Sequence, residues 1–223
     1  GYKFYKAGGE KLQEWSRQFG LGSPTGIDLP SETGGRVPDK AWKRQRQNQP
    51  WVPGDTVNMA VGQGDLLMTP LQLANAYSVI ANGGTLFKPI IVKKVLTYNG
   101  EMVQEFKSEE LRKLPLPPAA IKIMQQNLEK VVTAGTAASA FANFPVPVAG
   151  KTGTAQVMGK DDYAWFASYA PAGNPQYVVV VVVEQGGYGG STAAPAARQI
   201  LGNIFKVDPA LVTTPNNVVD VSR

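Results

Sequence analysis

Val148-Ala149-Gly150-Lys151-Thr152-Gly153-Thr154-Ala155-Gln156-Val157-Met158 decides how this chain is read. It follows a turn-rich Phe144-Pro145-Val146-Pro147 stretch and precedes two more extended apolar segments, 163–170 and 177–184. Short turn-forming connections between such segments favour consecutive antiparallel strands. Within the first strand, period-two geometry puts Thr152 and Thr154 on one face with their hydroxyls about 7 Å apart, a spacing suited to a carboxylate. Gly153 lets another backbone come close, and Lys151 adds a positive charge on a flexible stem. An anionic peptide end is able to add there as an extra strand. Taken alone, the Lys-Thr-Gly tripeptide is weak evidence and reads more readily as a lysine guarding a sheet edge.

Outward from this strand, Val178 to Val183 are six consecutive valines, which predicts a central strand buried on both faces. A last helix is expected from about Ser191 to Phe205, with Ile200, Leu201 and Ile204 facing the sheet. Upstream, Ile121, Met124, Leu128 and Val131 keep a helical period after Pro118, and Gly135-Thr136-Ala137 opens another short helical stretch. Residues 89–97 and 101–106 read as two strands of a hairpin joined at Asn99-Gly100. Thr69-Pro70-Leu71-Gln72 starts a helix whose capping box is Thr69 with Gln72, whose stripe is Leu73, Tyr77 and Ile80, and which ends at Asn82-Gly83-Gly84. A first helix spans residues 10–19 with Leu12, Trp15 and Phe19 on one face, and residues 22–53 read as a long loop. Helices before and after a block of antiparallel strands give an α+β architecture, an antiparallel sheet flanked by helices.

Composition narrows the chemistry. The chain has 223 residues, 43% hydrophobic and 17% charged, enough for a buried core. With no histidine the commonest general base and metal ligand are missing, so a Ser-His-Asp hydrolase is excluded. With no cysteine there is neither a disulfide nor a thiolate metal site. A net charge of +5 with scattered basic residues does not indicate nucleic acid. Lys43-Arg44-Gln45-Arg46 reads as a solvated face. Asp161-Asp162 reads as a turn with too few ligands for a metal, and no metal or cofactor is expected. Gly186 to Gly190 lacks the lysine and spacing of a phosphate loop and reads as a flexible loop near the cleft. Gln63, between two glycines, suits a ligand contact or a loop-shaping role, and Trp165, one strand over from Lys151, is read as core. The longest apolar run, 177–183, is too short to span a membrane.

Ser-x-x-Lys, Ser-Asp-Asn and Lys-Thr-Gly form the motif set of penicillin-recognising serine enzymes. Val148 to Gln156 resembles the third-motif strand of that family with its flanks, preceded at the expected distance by Gly135-Thr136-Ala137. Phe19-Gly20-Leu21-Gly22, Thr25-Gly26-Ile27-Asp28-Leu29-Pro30, Ala60-Val61-Gly62-Gln63-Gly64, Thr69 to Ala74, Trp165-Phe166 and Gly189-Gly190-Ser191 are similar to segments of class B penicillin-binding proteins. The Gly26 to Glu32 and Asp55 to Ala60 segments resemble the elongation type, penicillin-binding protein 2. The resemblance covers residues 1–207 as the C-terminal portion of a transpeptidase domain, with 208–223 as a tail. It implies the penicillin-binding transpeptidase (serine β-lactamase-like) fold, incomplete in this chain.

The resemblance also implies a function: peptidoglycan D,D-transpeptidation in cell-wall elongation and cell shape, with stem peptides and β-lactams as ligands. An upstream serine would attack the penultimate D-alanine carbonyl, and the acyl group would pass to an amine on a neighbouring strand. Lys151 would give electrostatic support, Thr152 and Thr154 would bind the terminal carboxylate on the Gly153 strand, and the Thr154 N–H would form half of an oxyanion hole. The long 22–65 region favours this over the alternatives, a D,D-carboxypeptidase or β-lactamase-type hydrolase on the same scaffold, or a non-catalytic binding module. The chain holds no Ser-x-x-Lys and no Ser-x-Asn. Phe4-Tyr5 resembles the aromatic pair that follows the second motif, so the chain is expected to begin just after it and to be inactive alone. Its partners would then be the missing N-terminal part of the same protein and the elongation complex. The family's membrane anchor would place the domain outside the cytoplasm, on the periplasmic or outer face.

Overall fold

A computed structural model describes residues 10–212 of the chain. Phe4-Tyr5, Gly1 and tail residues 213–223 lie outside the described residues. Two compact units emerge, one running to Val79 and including Gly84–Pro115, the other formed by Ile80–Gly83 and the chain from Leu116.

The first unit is organised by helix ends and buried polar contacts more than by a large apolar core. It contains α1 (Lys11–Gln18), α2 (Lys40–Gln47), α3 (Pro53–Ala60), most of α4 (Pro70–Ala81), and strands β1 (Thr85–Lys88), β2 (Lys94–Leu96), β3 (Met102–Glu105) and β4 (Glu109–Lys113). The expected capping box at α4 is formed in both directions: Gln72 N–H donates to Thr69 Oγ1 at 3.1 Å and Thr69 N–H to Gln72 Oε1 at 2.9 Å. The same amide's nitrogen donates to the Ser23 and Gly34 carbonyls at 2.8 and 2.7 Å, so one fully buried side chain closes the helix and pins the 23–34 loop. The buried stripe of α4 is therefore Gln72, Ala76 and Val79, whereas Leu73, Tyr77 and Ile80 are half-buried. The larger apolar side chains give way to a polar one whose hydrogen bonds are all made inside.

The long loop expected over 22–53 contains α2, which begins at Asp39: Asp39 Oδ1 accepts from Trp42 N–H at 2.7 Å, and Asn48 ends the helix in the left-handed region. Its composition is too charged for apolar periodicity to reveal it, but the caps are visible in the sequence. Lys43 is not on a solvated face. It is buried and paired with Asp55 of α3 at 2.6 and 2.7 Å, while Arg44 and Arg46 remain exposed. In α1 the buried residue is Gln13, with Leu12, Trp15 and Phe19 half-buried. The Asn99-Gly100 hairpin is present, its β2 strand shorter than expected, with Thr97 N–H donating to Glu101 O at 2.9 Å and Gly100 at φ +88°. Strands β1 and β4 were not anticipated; they pair antiparallel, and the alternation in Thr85–Lys88 is too brief to register as a strand pattern.

The second unit carries the core. Helix α5 (Pro118–Ala134) matches the expected helix, burying Ile121 and Val132. Three strands follow, β5 (Ala149–Ala155), β6 (Tyr163–Ala170) and β7 (Tyr177–Val183), in one antiparallel sheet of order β5-β6-β7. The antiparallel block is as expected, but its centre is not. The six valines of β7 occupy an edge of this sheet and are mostly half-buried, and β6 is central, with Phe166, Ala167, Ser168, Tyr169 and Ala170 buried. A run of valines specifies an apolar strand; strand order depends on which neighbours it finds.

Residues 136–143 after α5 form successive turns instead of the short helix expected there. A single π-turn, Gly189–Ala193, leads into α6 (Ala194–Ile204), and α7 (Pro209–Val212) follows. Helix α6 faces the core with Ala194, Ala197 and Leu201, and Ile200 and Ile204 are 42% and 37% exposed. The sheet-facing stripe is built from small residues because alanines let the helix backbone approach the sheet closely, which the bulkier isoleucines would prevent. The core joins Phe141, Val148, Ala164, Phe166, Val179 and Leu201.

Replacing Gln72 with Leu should destabilise the first unit by about 2–4 kcal/mol, because it leaves the Ser23 and Gly34 carbonyls and the Thr69 N–H without their partner. Urea denaturation of the wild type and Gln72→Leu will measure this, and Gln72→Glu is expected to recover less than half of the loss.

Candidate functional site

The site is built on β5, whose register against β6 sets which side chains face where. Gly150 lies opposite Ser168, Lys151 opposite Ala167, Thr152 opposite Phe166, Gly153 opposite Trp165, and Thr154 opposite Ala164. Alternation then puts Thr152 and Thr154 on the face shared with Phe166 and Ala164, and Lys151 and Gly153 on the other. Thr152 is 8% exposed. Lys151 is exposed as a residue, yet its ammonium turns back along the strand, donating to the Thr152 carbonyl at 2.9 Å and Thr152 Oγ1 at 3.3 Å. Partial loss of water at that end lowers the Lys151 pKa.

Two glycine-dependent approaches complete the surroundings. A Cβ on Gly150 would come within 2.7 Å of Ala167 O and 2.9 Å of the Phe166 ring, so the start of β5 is pressed against β6. A Cβ on Gly189 would come within 2.4 Å of Gly153 O and 2.3 Å of Trp165 O. The π-turn after β7 thus sits directly on the backbone of the Lys-Thr-Gly strand, and Gly189 N–H donates to Thr154 Oγ1 at 3.4 Å. The 186–190 segment is tied in further by Gly187 N–H to Asp162 O at 2.9 Å and Thr192 Oγ1 to Gly186 O at 2.7 Å.

The four residues singled out in the sequence are contiguous on one strand. Two further participants come from elsewhere in the chain. Thr136 Oγ1 lies 2.6 Å from Thr152 Oγ1, and Gly189-Gly190 closes over the strand. Gly135-Thr136-Ala137 stands out in the sequence only by resemblance; its contact with Thr152 is created by folding. Trp165, half-buried, lies across from Gly153, and Gln63 belongs to the first unit. Tyr169, opposite Ala149, is fully buried with no partner for its hydroxyl, and burial together with the Glu129 carboxylate pushes its pKa up to about 12. Among the described residues, no three His, Cys, Asp or Glu side chains gather as a metal site.

An antiparallel sheet flanked by helices, with Lys-Thr-Gly-Thr on an edge strand and a glycine turn seated against it, defines a class. The family model of the penicillin binding protein transpeptidase domain matches residues 3–202, and the chain belongs to this family. Within it, the chain is of class B and of the penicillin-binding protein 2 type. A peptidoglycan D,D-transpeptidase MrdA of Haemophilus influenzae is 37% identical over 216 residues, covering 88% of this chain and 33% of that relative. Pseudomonas aeruginosa PBP2, crystallised in complex with WCK 5153, superposes with a TM-score of 0.79 at 32% identity over 93% of this chain and 44% of that one. PBP2 of Helicobacter pylori, solved in complex with MreC, gives 0.69 at 33% identity over 87% of this chain and 36% of the other. The chain spans about a third of the length of the curated relatives it matches.

Gly189→Ala is expected to force the π-turn off β5, because the added methyl meets backbone carbonyls that cannot move aside. Thermal unfolding should fall by several degrees. The neighbouring Gly187→Ala, whose Cβ has open space but a φ of +72°, should cost less.

Proposed function

We propose that this chain is part of a peptidoglycan D,D-transpeptidase of cell-wall elongation, and that it supplies the carboxylate- and strand-binding wall of the active site. The observation that carries this is the place of Lys151-Thr152-Gly153-Thr154 on β5, an edge strand of its sheet. An edge strand keeps one row of N–H and C=O groups for an incoming extended peptide, and the adjoining hydroxyls and ammonium suit its anionic end.

In this reading a serine from outside these 223 residues attacks the carbonyl of the penultimate D-alanine. The peptide bond to the terminal D-alanine breaks, and that residue leaves as the free amine, taking a proton. An amine of a second stem peptide then attacks the ester, forming the cross-link and returning the serine. Lys151 lowers the cost of negative charge near the serine, Thr152 and Thr154 hold the terminal carboxylate, and Thr154 N–H donates to the carbonyl oxygen as charge develops. β-Lactams enter by the same route. Unbonded on its outer side among the described residues, the apolar β7 edge suits pairing with a strand from outside these 223 residues.

The relative solved with MreC supports an elongation complex as partner. Among the described residues no helix is long and apolar enough to cross a membrane. In this reading a membrane anchor of the full-length protein holds the domain outside the cytoplasm.

Product analysis of the full-length protein with stem-peptide substrates should yield cross-linked dimers sensitive to penicillin. Only trimmed monomers would instead identify a carboxypeptidase. The lowered Lys151 pKa also predicts a pH dependence. The charged form is lost as pH rises through a value below the ordinary lysine pKa of about 10.4, so penicillin acylation should decline on that alkaline limb. Lys151→Arg, whose charge persists, should react more slowly but without the limb.

A further inference from the structure

Thr136 stands in the turns that follow α5, fifteen positions ahead of Lys151, and its hydroxyl oxygen is 2.6 Å from that of Thr152. That contact is too short for two oxygens without a shared proton. Lys151 approaches the same Thr152 oxygen at 3.3 Å. The oxygen of Thr152, a residue only 8% exposed, therefore sits between an ammonium and a second hydroxyl. The junction is held from outside by Gly190, where a Cβ would come within 2.9 Å of the Thr136 carbonyl and 3.9 Å of Thr152 Cγ2. It is held from behind by Arg198, whose guanidinium donates at 2.9 Å to the carbonyls of Ala140 and Ala142 in the same run of turns.

Proton counting gives this arrangement a direction. A hydroxyl has one proton to donate and two lone pairs to accept with, and an ammonium only donates. Lys151 therefore takes one lone pair of Thr152. If Thr152 gives its proton to Thr136, it has none for a ligand. If Thr136 rotates and donates instead, both lone pairs of Thr152 are occupied and its proton is free to point at an anion. The hydroxyl of Thr136 thus sets whether Thr152 acts as a donor, and a carboxylate arriving at β5 favours the second state.

We infer that Thr136 is a positioning residue for carboxylate recognition: it accepts the Thr152 proton in the empty site and returns a hydrogen bond when Thr152 donates to the ligand carboxylate. This rests on the transpeptidase reading of the Lys-Thr-Gly strand and adds to it a residue outside the strand. No bond is made or broken by Thr136; only the donor and acceptor roles of two hydroxyls exchange.

The test uses the full-length protein with its serine, and compares wild type, Thr136→Val and Thr136→Ser in acylation by a penicillin and by the same penicillin with its carboxylate converted to a carboxamide. Loss of one hydrogen bond of ordinary net strength corresponds to about tenfold. Thr136→Val should lose about tenfold in second-order acylation by the carboxylate form, mainly through weaker binding before acylation, and under twofold with the carboxamide. Thr136→Ser, which keeps the hydroxyl, should stay within about twofold on both. Equal losses on both ligands would make Thr136 merely structural and overturn the inference, as would no loss on either or failure of serine to rescue. If valine prevents folding, as judged by thermal melting, the same comparison is made with Thr136→Ala and the same outcomes decide. Wild type that no penicillin acylates would overturn the transpeptidase reading itself, a result distinct from normal wild-type acylation with unselective variants.

Discussion

Pairing of β5 with β6 in a single register is the constraint on which the second unit depends. Thr152 opposite Phe166 buries a hydroxyl beside a core ring, and the same pairing leaves Lys151 on the other face. A slip of one residue would exchange the two faces, driving the lysine into the core with Phe141, Phe166 and Val179 and turning Thr152 away from it. The desolvation of an unpaired ammonium makes that slip prohibitive. Gly150 strengthens the restriction, since its missing side chain is what lets the start of β5 lie against Phe166 and Ser168.

What rests on this ladder is a set of loops fixed by backbone contacts. The π-turn meets Gly153 and Trp165 through carbonyls, so its position follows that of the strand. Arg198 is buried, and among the described residues its guanidinium is held by carbonyls: its donors reach those of Ala140, Ala142, Leu211 and Val212, and it lies 5.2 Å from the centre of the Phe144 ring. A planar five-donor group is suited to collecting several carbonyls at once. It thereby fastens both the turns that present Thr136 and α7, within the segment read from the sequence as a tail.

The first unit solves its own problem by similar means. Gln72 uses both ends of its amide, one for the cap of α4 and the other for two loop carbonyls, and Asp55 accepts from both Lys43 and the Val52 N–H. Glu32 closes the turn at Thr25-Gly26; although burial works against its charge, hydrogen bonds from Thr25 and the backbone of Gly26 hold its pKa below the ordinary value. Long glycine- and proline-rich segments are ordered here by polar side chains that satisfy buried backbone groups.

Local patterns were legible in the sequence by itself: the capping box of Thr69 and Gln72, the Asn99-Gly100 hairpin, helix α5, three consecutive strands, and the Lys-Thr-Gly-Thr element with its resemblance to penicillin-binding transpeptidases. Each depends on neighbours in the chain, where residue spacing already carries the geometry. Strand order, the edge position of the valine run, burial of Lys43, the alanine face of α6 and the meeting of Thr136 with Thr152 were decided only by tertiary structure. They depend on which surfaces find each other in the folded chain: Lys43 is buried where it reaches Asp55 on the next helix, and Thr136 meets Thr152 where β5 is registered against β6, pairings that local residue spacing does not specify.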